Sequence, residues 1–146
     1  MRRVVFDTSV LVSVALKPKG VPAQAYEAWR ALRFSLFTTQ AILDELRRTL
    51  AYPRVLRKYD CKLRVSILLA ELSEEAGRVP GTAPVDVYVR DPKDYIILSA
   101  VADAAADVLV SSDQDLLTLG DYRSALILTP RQFLSWLDET EPESER

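Results

Sequence analysis

The sequence predicts an α/β domain, a doubly wound and mostly parallel sheet with helices on both faces. Three observations predict it. Short runs such as Val4-Val5-Phe6, Val108-Leu109-Val110 and Leu126-Ile127-Leu128 have the length and composition of buried strands. Longer stretches with helical spacing of apolar residues lie between them, so strands alternate with helices. A chain of 146 residues, 49% hydrophobic and 27% charged, suits a single domain with its own core.

The elements follow in order. Residues 4–6 form a strand that stops at Asp7, and residues 10–16 suit a helix starting after Thr8 or Ser9. Lys17-Pro18-Lys19-Gly20 reads as a loop. From Pro22, AQAYEAWRALRF sets Ala25, Ala28, Trp29 and Leu32 at helical spacing. Residues 34–37 read as a second strand. Thr38 or Thr39 can cap a helix through QAILDELRRTLA, which ends before Pro53. Residues 54–59 suit a short helix. Asp60 can cap a longer one through Leu63, Ile67, Leu68 and Leu72, closed by Gly77. Residues 85–89 alternate and read as a strand or an extended segment. Asp91-Pro92 opens a helix with proline at its first position. The strand at 108–110 ends at Ser111-Ser112-Asp113, and Asp113 can cap a short helix through Leu116-Leu117. After the strand at 126–128, Thr129-Pro130 opens a terminal helix. The domain is expected to span residues 1–138, with an acidic, disordered tail over 139–146.

The residue inventory narrows the chemistry. There is no histidine, which excludes Ser-His-Asp catalysis, Cys-His catalysis and histidine metal ligation within the chain. The single cysteine, Cys61, excludes an intrachain disulfide and a Cys-rich zinc site. Only four glycines are present, and neither GxGxxG nor GxxxxGK[ST] occurs. A dinucleotide-binding fold and a P-loop enzyme thereby lose their main support. No apolar run reaches the length of a membrane span, and MRRVVFDTS meets an acid too early for a secretory signal. A cytoplasmic protein is expected.

The net charge of −2 hides an asymmetry. The last nine residues, DETEPESER, hold five acids and one arginine, leaving 16 acidic and 18 basic residues in the body. Arg47, Arg48, Arg54, Arg57, Lys58, Lys62 and Arg64 crowd one segment against Asp60 alone. The segment reads either as a solvated helical surface or as a track for a polyanion backbone.

The acids carry the functional signal. Asp7 ends the first strand, and Asp113 follows another, with Asp115 two residues on. In open parallel sheets, ligands bind beyond the carboxyl ends of the strands, where the strand order reverses. Asp94 lies one turn into its helix, which can begin on the same edge. Glu45 borders the apolar face of its own helix, next to Leu46 and three residues from Ile42. Singly, these acids read as caps or surface residues: Asp91 as a helix cap, Asp94 as the third position of a capping box, Asp113 as another cap. Together they are like charges on one edge, which repel unless a cation compensates. With no His and a single Cys, the donors are hard oxygens, which point to Mg2+ or Mn2+.

VVFDTSVLVSVAL, ILDELRRTL, RDPKDYIILSAVADAAADVLVSSDQDLL and ILTPRQFL resemble, in order and spacing, the PIN-domain family. The similarity is to its small prokaryotic members, the toxin-like ribonucleases of type II toxin–antitoxin pairs, and covers nearly the whole chain. It implies a PIN-like fold and a metal-dependent endoribonuclease. The family's first acid falls on Asp7, its helix glutamate on Glu45, its third acid on Asp94 and its late acid on Asp113, with Asp115 as a frequent companion. Asp7, Asp94 and Asp113 are the implied metal ligands, with Asp115 and Glu45 as direct or water-mediated ones, and Glu45 joins Asp7, Asp94 and Asp113 as catalytic. Ser9 stands where the family often has Asn or Ser, so its hydroxyl would hold Asp7 or a metal-bound water. The family often has a further polar residue where this chain has Tyr95. Asp94 is preferred to Asp91 because the helix start leaves Asp91 at the cap and turns Asp94 inward with Ile97 and Leu98.

On this reading Arg47, Arg48, Arg54, Arg57 and Lys58 hold an RNA strand by its phosphates. Tyr52, Tyr59 or Trp29 could stack a base, although each also suits core or rim packing. A homodimer and a protein antitoxin are the implied partners. A haloacid-dehalogenase-like phosphatase needs an Asp where Ser9 stands, and a receiver domain needs a paired acid beside Asp7. The remaining alternative is a non-catalytic RNA-binding or protein-interaction module on the same fold.

Overall fold

The computed structural model describes residues 1–140. Its elements run β1 (Arg3–Phe6), α1 (Thr8–Leu16), α2 (Val21–Arg30), β2 (Ser35–Thr38), α3 (Gln40–Leu50), α4 (Pro53–Tyr59) and α5 (Lys62–Glu75). They continue with β3 (Gly77–Arg78), α6 (Pro92–Ala104), β4 (Val108–Val110), α7 (Gln114–Leu119), β5 (Asp121–Tyr122), β6 (Ala125–Leu128) and α8 (Pro130–Thr140). The sheet has the order β3-β2-β1-β4-β6-β5. Every pairing is parallel except that of β5 with β6. This is the doubly wound α/β sheet that the alternating pattern predicts.

The two faces can be told apart from the strand pleat. Arg3 and Phe6 are three residues apart on β1, so their side chains point to opposite faces. Arg3 Nε donates to Ala104 O at the end of α6, and its guanidinium lies over the Phe37 ring. Phe6 instead packs on Phe34 and on Phe133 of α8, with ring centroids 5.9 and 6.1 Å away. Phe34 and Phe133 meet edge to face at 5.0 Å. The central strands are buried on both sides, which is why β1 and β4 carry unbroken apolar runs.

β1 sits at the point that positions the site. The chain leaves β1 for β2 on one side and later returns to pair β4 on the other. The carboxyl ends of β1 and β4 therefore flank the crevice where the winding reverses. Asp7 N donates to Val110 O at 2.9 Å, carrying the ladder one residue past the two strands.

Three local expectations differ from the structure. Asp60 does not cap α5. It sits in the left-handed region at φ 45°, closing α4, and Cys61 precedes α5. Gly77 does not end α5 as a left-handed cap; it begins β3, opposite Phe37. A Cβ there would lie 2.6 Å from the Phe37 ring, so the close strand approach explains the glycine. Residues 85–89 form no strand. That stretch is pinned by side chains instead. Asp103 accepts from Gly81 N and Thr82 N, Ser99 Oγ donates to Ala83 O, and Tyr122 Oη donates to Asp86. Tyr95 Oη accepts from Val89 N, so this side chain serves the loop that delivers Arg90. Helix α8 runs through Glu139 and Thr140, and the rest of the expected acidic tail lies outside the described residues. Among the described residues, no helix is long and apolar enough to cross a membrane.

Candidate metal centre

Each acid of the site is aimed by the end of an element. Asp7 caps α1, accepting from Ser9 N at 3.3 Å through Oδ1. Its Oδ2 accepts from Ser111 Oγ at 2.7 Å. Ser111, fully buried just past β4, also accepts from Asp113 N at 2.9 Å. One hydroxyl thus ties the acid after β1 to the turn after β4. Asp113 caps α7, its Oδ1 accepting from Asp115 N at 2.9 Å. Asp91 caps α6 through Lys93 N, with Pro92 at the first helical position. Three residues further, Asp94 is turned inward and is only 4% exposed.

Asp94, Asp113 and Asp115 each offer a carboxylate oxygen, and the three oxygens lie within 4.8 Å of one another. Asp94 Oδ2 is buried with no hydrogen-bond partner; Thr38 Oγ1 is the other such side-chain atom among the described residues. Burial, then the charge of Asp113, a hydrogen bond with it, and the charges of Asp91 and Asp7 push the Asp94 carboxyl up to about 7. Burial also raises Asp7, against the lowering pull of the Ser111 and Ser9 hydrogen bonds. Arg90 answers the charge of Asp115, while Asp7, Asp94 and Asp113 make no ion pair among the described residues. The donor set is all hard oxygen, so the residues fit a divalent cation such as Mg2+ or Mn2+.

A cleft of about 470 Å3 opens over this floor. Asp7, Glu45, Asp91, Asp94 and Asp113 line it with Lys93, against an apolar wall that includes Val12, Ile42 and Ile97. Glu45 stands on α3 and bonds two cations, Lys93 Nζ at 3.1 Å and Arg48 at 2.9 Å. Arg48 first, and then Lys93, hold its carboxyl below the usual range. Asp115 is paired with Arg90 from the pinned loop.

The structure thus brings Asp7, Glu45, Asp94 and Asp113 to one cleft and sets Asp115 against Asp94 and Asp113. Ser9 meets Asp7 mainly by its backbone N–H, with a smaller contribution from its hydroxyl. Sequence reasoning passed over Ser111, Lys93 and Arg90. Ser111 had a readable signal, a hydroxyl two residues before Asp113 at a strand end. The basic residues divide. Arg54, Arg57 and Lys58 are exposed on α4 and make no ion pair among the described residues. Arg47 pairs with Asp44 at 3.5 Å, and Arg64 is tied back to Ala15 O at 3.0 Å. Trp29 is buried against Tyr26 and cannot stack on a ligand, whereas Tyr52 is 62% exposed.

Residues 3–115 match the PIN domain family, a span that contains every acid of the cluster. The chain is also similar to an uncharacterized protein, MJ1680, of Methanocaldococcus jannaschii. The two are 22% identical over 140 residues, covering 90% of this chain and 89% of that one. The sheet, the acids at its carboxyl edge and the matched span agree, and the chain belongs to the PIN-domain family, whose members are generally nucleases.

Proposed function

We propose that the protein is an endoribonuclease dependent on Mg2+ or Mn2+. Asp94, Asp113 and Asp115 would hold the ion, with Asp7 beside them. The observation that carries this reading is Asp94, whose carboxylate clusters with those of Asp113 and Asp115 and whose buried Oδ2 has no hydrogen-bond partner. Such an atom costs stability unless a ligand satisfies it. When bound, the ion supplies the activated water and the charge compensation that phosphodiester hydrolysis needs.

The chain's own residues set up the rest. Asp94, pushed up to about 7 chiefly by burial, must lose its proton before it can act as a ligand. Ser111 fixes the Asp7 carboxylate and the Asp113 backbone together, so the two strand ends act as one support. The apolar wall lowers the polarity beside the acids, which strengthens the electrostatics there. Water adds to phosphorus, the bond to the 3′ oxygen breaks, and that oxygen leaves with a proton, giving a 5′-phosphate and a 3′-hydroxyl.

Arg54, Arg57 and Lys58 would hold the strand by its phosphates, with Arg47 and Arg48 closer to the mouth. Thr49, near the end of α3, lines the cleft, and α4 begins four residues later at Pro53. The choice of RNA, the role as the toxin of a toxin–antitoxin pair, a homodimer and a cytoplasmic location rest on the resemblance of the sequence to small prokaryotic PIN-domain toxins.

The test is single-stranded RNA incubated with the protein in Mg2+, in Mn2+ and in EDTA, beside Asp7→Asn. Cleavage in either metal, none in EDTA and none in a well-folded Asp7→Asn protein is expected. RNA bound but never cut would identify a non-catalytic module, and wild-type rates in Asp7→Asn would remove the metal-nuclease reading.

A further inference from the structure

The cleft has a charge problem that its metal ligands do not solve. Among the described residues lining it, five are acids (Asp7, Glu45, Asp91, Asp94 and Asp113) and one is a base, Lys93. A phosphodiester entering this cleft meets a field of its own sign. A divalent ion answers the charges on the floor. Among the described residues that line the cleft, the cation available to a phosphate oxygen is Lys93.

Lys93 is placed with care. Pro92 sets the backbone before it, and Asp91 caps its N–H at 3.0 Å, so its Cα is fixed at the first turn of α6. Asp94, the most buried acid of the cluster, follows it directly. Its ammonium reaches across to Glu45 on α3 at 3.1 Å, bridging the two helices that bound the mouth. The Lys93 side chain is 68% exposed and Glu45 24%, so the ammonium keeps two of its three donors for solvent or a ligand. Glu45 is meanwhile engaged by both Lys93 and Arg48, and its oxygens are not among those of the Asp94, Asp113 and Asp115 cluster.

Resting on the nuclease reading above, we propose that Lys93 grips the phosphate being cleaved. Glu45 is then a positioning residue that holds Lys93 over the cleft, rather than a metal ligand. A cation fixed there acts on the charge that builds on the phosphoryl oxygens as the bond to the 3′ oxygen breaks. Arg48, which is not among the residues lining the cleft, braces Glu45 through a second ion pair at 2.9 Å.

The experiment compares Lys93→Ala, Lys93→Arg, Glu45→Gln and the Glu45→Gln/Lys93→Ala double variant. Three quantities are read: kcat and KM on single-stranded RNA, affinity for Mn2+, and affinity for a nuclease-resistant phosphorothioate RNA in Mn2+. Lys93→Ala should lower kcat/KM by about 100-fold, with Mn2+ affinity unchanged or raised. Lys93→Arg should recover a large part of the loss. Glu45→Gln should cost less than Lys93→Ala and add nothing in the double variant, since it acts through Lys93. Full activity in Lys93→Ala, or a tenfold loss of Mn2+ affinity in Glu45→Gln, overturns the proposal while leaving the nuclease reading intact. A wild-type protein that never cleaves removes the nuclease reading instead. Weaker phosphorothioate binding by Lys93→Ala would then support a grip on a bound RNA phosphate only, and unchanged binding would overturn the grip as well.

Discussion

Asp94 shows how burial alone makes an ordinary side chain chemically pointed. Its folded carboxyl titrates at about 7, above the usual 3.8, because it is desolvated and faces Asp113. Between those values the folded chain holds a proton that the unfolded chain releases. The stabilising share of that proton is complete below 3.8 and is lost as pH rises through about 7. Asp94→Asn cannot ionise, so in EDTA its stability relative to wild type should grow from about pH 5 to about pH 8, by roughly 2–4 kcal/mol. Thermal melts across that range check this, and a difference that stays constant with pH would contradict it. The acids were legible at this scale because strand ends and helix starts announce them. Asp91 and Asp94 could be separated because Pro92 fixes the helix start. Ser111 and Lys93 were not legible in the same way. A buried serine and an exposed lysine look ordinary until the fold places them against Asp7 and Glu45.

At the scale of elements, apolar runs and proline starts announced most of the chain. β1 and β4 were readable because strands covered on both faces leave continuous hydrophobic segments, and β6 because its run is apolar throughout although Leu126 is exposed. The two-residue strands β3 and β5 were not, since so short a strand has no side-chain period to read. Asp60 misled because a residue suited to an N-cap also tolerates the left-handed conformation in which it closes α4. Helix α4 is the element whose function is most open to test. It presents Arg54, Arg57 and Lys58 without acidic partners, while the neighbouring α3 bases are paired with Asp44 and Glu45. Neutralising the three together should flatten the log–log salt dependence of RNA affinity by about 2, at roughly 0.7 for each single-strand phosphate contact. Binding titrations at several salt concentrations measure it. An unaltered slope would return α4 to plain solvated surface and place the strand elsewhere.

For the whole molecule, the order of the strands does what no single motif does. The chain winds one way from β1 to β2 and the other way to β4, so acids about a hundred residues apart in sequence meet at one edge. The sequence shows which acids follow strands, but only the adjacency of β1 and β4 shows that Asp7 and Asp113 share a support through Ser111. The central claim is that this edge is a divalent-cation site. Calorimetric titration with Mn2+, near pH 6 and near pH 8 in buffers of different ionisation enthalpy, tests it most directly. Saturable binding is expected, with up to about one proton released near pH 6 and fewer near pH 8, as Asp94 deprotonates to take the ion. Asp94→Asn should weaken binding by at least about tenfold and abolish the proton release. Equal Mn2+ affinity in wild type and Asp94→Asn, or no binding by the wild type at either pH, would contradict it.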